Sequence, residues 1–263
     1  MKELLEGKKF YEFGQYIKGA ISRKICRKRY EEYDLLIKEA LEQLIIIKEE
    51  NMIIDLGEDY LFNFPKYNKE FTQPFIDFVV KAFYNGRKGR RVQFLEKVIY
   101  QTEGKIKLFY SVLCDAYTAA KEIQKAYRYA IKCLNMDKIY GSLNELIKLG
   151  NPSEKDLFII RAMLELLNAG LIDECHNMMK QYDADIKGLP LVEFTQWVLH
   201  SIKIKSFNAF KAVISAHAIV LERDEDLIRY LDKVAQRYFG QAIIEQEGLS
   251  KMIGNMMKMI NQN

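Results

Sequence analysis

Residues 150–170 read GNPSEKDLFIIRAMLELLNAG, and both ends of a helix are written into that run. Asn151 can accept from the free backbone N–H groups of a first turn. The fixed φ of Pro152 suits the first helical position, and Glu154 can reach back as in a capping box. Gly150 closes the helix before it. From Asp156, the apolar residues Ile160, Met163, Leu164 and Leu167 recur on a helical period, which marks one buried face. The same period returns after Arg223, where Leu227, Leu231, Val234, Ala235 and Tyr238 share a face.

Working outward, this pattern covers almost the whole chain. Four prolines and 14 glycines in 263 residues are too few for a many-turned β fold. The period predicts about thirteen helices joined by short links, at 2–25, 29–49, 51–63, 71–84, 89–102, 104–119, 121–134, 136–149, 153–169, 171–182, 190–204, 206–221 and 224–239. The exception is 183–192, DADIKGLPLV, which reads as a loop or a very short hairpin. No strand-period segment competes elsewhere.

A weak internal repeat supports stacking of these helices. EGKKFYEFGQYIKGAI and NAGLIDECHNMMKQY each place a glycine shortly before a glutamate, Gly7 before Glu12 and Gly170 before Glu174. AKEIQKAYRYAIKCL sets small and aromatic residues at matching helix positions. A recurring turn, charge and small residue let helix pairs stack, as in tetratricopeptide-like arrays, although the full signature of that repeat is absent. The expected fold is all-α, a right-handed α-solenoid of about six to seven antiparallel helix pairs. Residues 1–240 form that single array, with an N-terminal half at 1–134 and a C-terminal half at 135–240, and 241–263 follow as a loop and methionine-rich tail.

Bulk composition narrows the functional classes. Apolar residues are 49% and charged residues 29%, ordinary for a globular protein, and a net charge of +4 is below that of a dedicated nucleic-acid binder. Cys26, Cys114, Cys133 and Cys175 are far apart and form no C-x-x-C pair. They read as reduced, mostly buried thiols of a cytoplasmic protein. No run approaches a membrane span, so no stable membrane insertion is expected, and MKELLEGKK has no apolar signal region.

Catalytic signals are poor, and the chain is not expected to be an enzyme. His200 and His217 lack metal-ligand spacing. Cys175–His176 are neighbours in sequence, whereas a nucleophile and its base meet in space with a third group to orient them. NGRKGRR lacks the Ser/Thr and the preceding strand of a phosphate loop. No cofactor or metal is expected.

Two basic clusters stand out. Between Tyr16 and Tyr30 there is no acidic residue, while Lys18, Arg23, Lys24, Arg27, Lys28 and Arg29 all occur; the second cluster is Arg87, Lys88, Arg90 and Arg91. Each can contact phosphates or steer an acidic protein, or can be a solvated face with cations favoured at a helix C-terminus. Phe10, Tyr11, Phe13 and Tyr16 nearby are either interface anchors or core. A helical-repeat nucleic-acid binder and a generic repeat scaffold of a larger complex both fit these features.

At residues 8–41, KKFYEFGQYIKGAISRKICRKRYEEYDLLIKEAL, the chain resembles the start of the Golgi to ER traffic protein 4 family. Phe10, Tyr11, Glu12 and Gln15 match the family's Y-Y-E-A-H-Q segment, in which Phe13 here replaces the small residue and Gly14 the histidine. Residues 189–240 resemble its last helices, with Leu231, Val234, Ala235, Gln236, Tyr238, Phe239 and Gly240 in register with the family's ending. GLSKMIGNMMKMI resembles its tail around Gly254–Asn255.

The resemblance implies a helical solenoid without catalytic activity. It implies an adaptor in the guided entry of tail-anchored membrane proteins to the ER, which favours the nucleotide-bound state of a targeting ATPase. The N-terminal helices would dock that ATPase, through Phe10, Tyr11, Gln15, Lys18, Arg23 and Arg27. The C-terminal half would hold a ubiquitin-like partner, with Phe194, Trp197, Phe207 and Phe210 as contacts. Some members carry a hairpin for that partner between their last helices, and there is little room for one before Pro190. In the tail, Met252, Met256, Met259 and Ile260 can share one face of a short helix, which would dock or stay loose rather than hold clients.

Overall fold

The computed structural model describes residues 10–68, 70–183 and 188–243. All regular structure among them is helical. Two compact units divide the chain, Met1–Lys121 and Glu122–Asn263.

The first unit holds α1 (Phe10–Cys26), α2 (Tyr30–Ile46), α3 (Glu50–Asn63), α4 (Gln73–Asn85), α5 (Lys88–Gln101) and α6 (Lys107–Ala119). Each helix packs on the next, and α3 also meets α5. The links are short because the chain reverses within a single residue of left-handed backbone. Lys28 (φ 56), Lys48 (φ 58) and Glu103 (φ 52) occupy those positions. Around Lys28, its own N–H bonds to Ile25 O and the N–H of Arg29 to Lys24 O, the paired bonds that seal the last carbonyls of a helix. Lys48 repeats this with Ile45 and Leu44, and Glu103 with Tyr100 and Ile99 through the N–H of Gly104. Aromatic side chains fill the middle of this unit. Tyr33, Tyr60, Phe64, Phe75, Phe83, Phe94 and Phe109 are all buried. After α3, a 3-10 turn at Phe64–Lys66 brings the Tyr67 hydroxyl to donate to Asp34 at 2.5 Å.

The second unit holds α7 (Ile123–Cys133), α8 (Met136–Leu149), α9 (Lys155–Ala169), α10 (Ile172–Gln181), α11 (Pro190–Lys203), α12 (Phe207–Ala216), α13 (Ala218–Leu221) and α14 (Asp226–Phe239). The helix read from residues 150–170 is its centre: α9 packs against α7, α8, α10, α11 and α14. Ile160, Met163, Leu164 and Leu167 are fully buried as their period requires, and so are Ile159, Ala162 and Leu166 from other faces. A helix apolar nearly all round has to be enclosed. On α14, Leu227, Leu231, Val234 and Ala235 are fully buried on one face.

Polar groups fasten α14 and the loop before it to α9. The Tyr238 hydroxyl donates to Leu167 O at 3.0 Å, which also accepts from Gly170 N–H, and Arg237 donates to Asn168 O at 3.2 Å, so both bind carbonyls at the C-terminal end of α9. Gly170 (φ +86) ends that helix, and a Cβ there would lie 2.3 Å from the Arg237 guanidinium. Further back, Arg161 pairs with the buried Asp224, and Arg223 pairs with the buried Asp156. The Glu165 carboxylate accepts from the Tyr127 hydroxyl at 2.7 Å and the Tyr230 hydroxyl at 3.2 Å.

Several boundaries differ from the sequence reading. Pro152 opens a separate 3-10 turn, Pro152–Glu154, with the Asn151 side chain accepting from Ser153 N–H at 3.1 Å; α9 itself begins at Lys155. The expected helix at 206–221 is interrupted at His217, whose backbone (φ −110) leaves the helical range between α12 and α13. The helix expected from 190 is present as α11, which starts at Pro190 with Leu191 and Val192 buried, so only the part of 183–192 before Pro190 is left to a loop or hairpin. The predicted tail helix, with Met252, Met256, Met259 and Ile260, lies outside the described residues.

Candidate partner-docking surfaces

The N-terminal surface is built on α1. Its buried face is Phe13, Ile17, Ala20 and Ile21, all turned toward the neighbouring helices. Phe13, which stands where the resembled family has a small residue, is fully buried and is therefore core. Gly14, at the family's histidine position, allows a close approach: a Cβ there would come within 2.7 Å of the Met52 methyl on α3. Beside this contact lies a cleft of about 190 Å³ lined by Gly14, Gln15, Lys18, Met52, Asp55 and Asp59, with Leu44 and Leu56 at its apolar wall.

Charge in this cleft is mixed. Burial raises the Asp59 carboxyl above its usual range, and the nearby Lys18 ammonium acts against that shift. Asp55 accepts from Arg90 at 2.7 Å. The cleft therefore presents apolar walls, an exposed amide and ammonium on α1, and a partly buried carboxylate on α3. Sequence reasoning named Gln15 and Lys18 but missed the α3 side. The signal was present, because Met52, Asp55, Leu56 and Asp59 follow the helical spacing of a single face.

Of the six residues assigned to the ATPase face, the four whose side chains are described do not share one side of the chain. Phe10 and Tyr11 belong to α1, and their side chains lie outside the described residues. Gln15 and Lys18 are exposed at the cleft. Arg23 of α1 and Arg27 in the turn just after it are exposed too, but elsewhere: at 3.6 residues per turn Arg23 sits about 140° around α1 from Lys18. Among the described residues neither arginine makes an ion pair, whereas Lys24 and Arg29 share Glu32 of α2.

The second basic cluster is mostly engaged inside the fold. Arg90 bridges Asp55 and Glu58, Arg87 reaches the Asn51 side chain at 3.3 Å, and Arg91 lies over the Phe83 ring at 5.0 Å.

The C-terminal contacts need correction. Phe194 and Phe210 are fully buried and are core rather than surface. Phe194 packs beside the His217 ring at 5.4 Å, and Phe210 and the partly buried Phe207 close on Phe239 at 5.2 and 5.7 Å. Trp197 is 49% exposed and stands edge-on to His200. Ile204, just past the end of α11, is also half exposed. Aromatic residues at helical spacing sort into core and surface only when the neighbouring helices are known, which is why four similar side chains part here.

Cys175 and His176 do not form a catalytic pair. Cys175 is buried, and burial pushes its thiol up to about 12, while His176 is exposed on another face of α10. Cys26 is exposed and the other three thiols are buried. Among the described residues no group of three or more His, Cys, Asp or Glu is placed to hold a metal, and no helix is long and apolar enough to cross a membrane.

Comparison with known proteins agrees with this architecture. The crystal structure of C. therm. Get4 superposes with a TM-score of 0.74, covering 95% of this chain and 90% of that one at 16% identity, and it carries the helical-solenoid fold class expected from the sequence. The Golgi to ER traffic protein 4 homolog of Dictyostelium discoideum is 23% identical over 264 residues, 94% of this chain and 84% of the relative. Protein GET4 of Arabidopsis thaliana is 23% identical over 153 residues, 55% of this chain and 47% of the relative. A family model described as Golgi to ER traffic protein 4 matches residues 27–260, and the chain belongs to that family.

Proposed function

We propose that this protein is a non-enzymatic cytoplasmic adaptor in post-translational targeting of tail-anchored membrane proteins to the ER. Family membership supports a role in that pathway. In this reading the cleft beside α1 receives the targeting ATPase, with Gln15 and Lys18 as rim contacts and Asp59 as the acceptor on the opposite wall. The observation that carries it is the cleft itself: apolar walls flanked by exposed polar groups. Such a site takes an apolar anchor surrounded by a polar rim, the usual anatomy of a protein interface. A ubiquitin-like partner would use the exposed face of α11 around Trp197.

The test is direct binding of the purified chain to the tail-anchored-protein targeting ATPase. Lys18→Glu combined with Gln15→Ala should weaken association by about tenfold, chiefly by slowing it, with helicity unchanged. Affinity equal to wild type at low salt would sink this assignment. Recovery of other complex subunits instead of the ATPase in a pull-down would favour a generic scaffold.

A further inference from the structure

α3 and α5 lie side by side and leave an open hollow of about 800 Å³ between them, apart from the cleft beside α1. Phe62 on the α3 wall is 69% exposed, and Tyr100 on the α5 wall is 88% exposed. Gln101 fixes the spacing of the walls, since its side-chain amide donates to Leu61 O at 2.7 Å. A second open hollow, of about 580 Å³, shares Tyr100 and Gln101 with the first and is also lined by Gly104 and Tyr110. A Cβ at Gly104 (φ +67) would meet the Tyr110 hydroxyl at 2.1 Å, so the glycine lets that hydroxyl lie against the turn. Three aromatic side chains therefore line two adjoining hollows, and Tyr100 belongs to both. Exposed rings gathered around a concave surface mark a docking site.

Charge around these hollows is balanced and already engaged. Glu58 holds Lys97 at 2.7 Å, and Glu103 holds Lys105 at 2.6 Å. Glu96 accepts from the Tyr117 hydroxyl at 2.9 Å. Lys66 donates to the Asn63 side chain at 2.8 Å and lies 3.8 Å from the centre of the Phe62 ring, which is still mostly open to solvent. Three acids and three bases thus cancel, each with a partner inside the fold. A phosphate chain or a strongly charged helix gains no unmet counter-charge here, so charge complementarity selects a neutral occupant.

We infer that the two hollows bind an uncharged, proline-rich segment of a partner protein in the polyproline II conformation. That helix has three residues per turn, so prolines three apart fall on one edge, about 9 Å from each other. One proline ring seats between Phe62 and Tyr100, and the next seats beyond Tyr100, beside Tyr110. The ligand's backbone carbonyls have no partners of their own, and the Tyr100 hydroxyl and the Gln93 amide are donors at the same surface. Such a segment is preformed and loses little freedom on docking, which suits two shallow hollows better than a deep pocket. An amphipathic helix fits less well, because the Tyr100 ring stands as a ridge across the path that its continuous apolar stripe would need.

The experiment probes the full chain with an array of uncharged synthetic peptides, each carrying two prolines three residues apart, and measures the best binder by fluorescence anisotropy. Wild type should bind with little dependence on salt. Phe62→Ala with Tyr100→Ala should weaken binding by about tenfold, with circular dichroism unchanged because both rings are exposed. Tyr100→Phe keeps the ring and should cost less than about threefold, and Leu35→Ala, at an exposed apolar residue of α2, less than about twofold. Failure of every peptide in the array overturns the inference. So does equal binding of the best peptide with its prolines changed to alanine, or full affinity in the double alanine variant. Tighter binding to a generic single-stranded RNA, with a steep salt dependence and lost with the same two rings, overturns it in favour of nucleic acid. The assay contains no ATPase, so its result is independent of the cleft assignment.

Discussion

Arg223 holds the buried Asp156 through two guanidinium nitrogens, at 2.6 and 3.0 Å, across 67 residues of chain. The same arginine also donates to Ser153 O at 3.1 Å. This grip fixes the loop before α14 against the start of α9.

Removing one partner leaves a charge without compensation in the interior. Arg223→Ala should cost about 2–3 kcal/mol, below the full range for a buried pair because the arginine is partly exposed. The double variant Asp156→Leu with Arg223→Met should cost less than either single change. Urea unfolding of the four proteins checks this, and additive losses would show that the two residues do not act as a pair.

Glu165 makes a prediction about pH. Burial raises its carboxyl above the usual range, and the hydroxyls of Tyr127 and Tyr230 only partly offset this. The folded state therefore holds the Glu165 proton more tightly than the unfolded state does. Its contribution to stability is full below the unfolded value of about 4.3, and is lost as pH rises through the folded value. Glu165→Gln keeps the hydrogen-bonding site without the charge. It should raise the melting temperature at pH 7, with the advantage disappearing toward pH 4. A variant less stable than wild type at both values would show that the carboxylate is needed in its charged form.

The turns offer a stabilising change. Lys48 (φ 58) and Lys205 (φ 52) hold a conformation that a side chain makes unfavourable. Glycine at either position should add about 0.5–1 kcal/mol, after allowing for its greater freedom when unfolded. Thermal melts of Lys48→Gly, Lys205→Gly and the pair should show additive gains.

Filling the cleft should separate docking from folding. The atom facing Gly14 is the end of the flexible Met52 side chain, so Gly14→Leu is expected to fold. In α1 it should lose at least about tenfold in ATPase affinity, with melting unchanged or higher. Unchanged affinity would place the ATPase elsewhere.

These lysine turns also explain which parts of the fold could be read in advance. The long periodic segments, α9 and α14 above all, follow directly from where Ile160, Leu164, Leu231 and Val234 fall. The hairpin reversals were harder to see, because glycine marks the left-handed residue at Gly170 but lysine fills it at Lys28, Lys48 and Lys205. The break at His217 carries no proline or glycine to announce it. At the candidate sites, α1 could be recognised from the matching Gln15. Which side each cation faces follows from the positions of α2 and α3, information that no single helix contains. The same holds for Phe194 and Phe210, whose spacing suits a surface as well as a core.

The clasp between α9 and α14 has a consequence for synthesis. α9 is apolar on nearly every side, yet one of the helices that enclose it is encoded some sixty residues later. On the ribosome, Ile160, Met163 and Leu164 emerge long before Leu227 and Leu231 exist to cover them. The second unit therefore completes its core only once residues 226–239 have been made, and a chain stopped before residue 226 would present the central helix of that unit incompletely covered to the cell's chaperones.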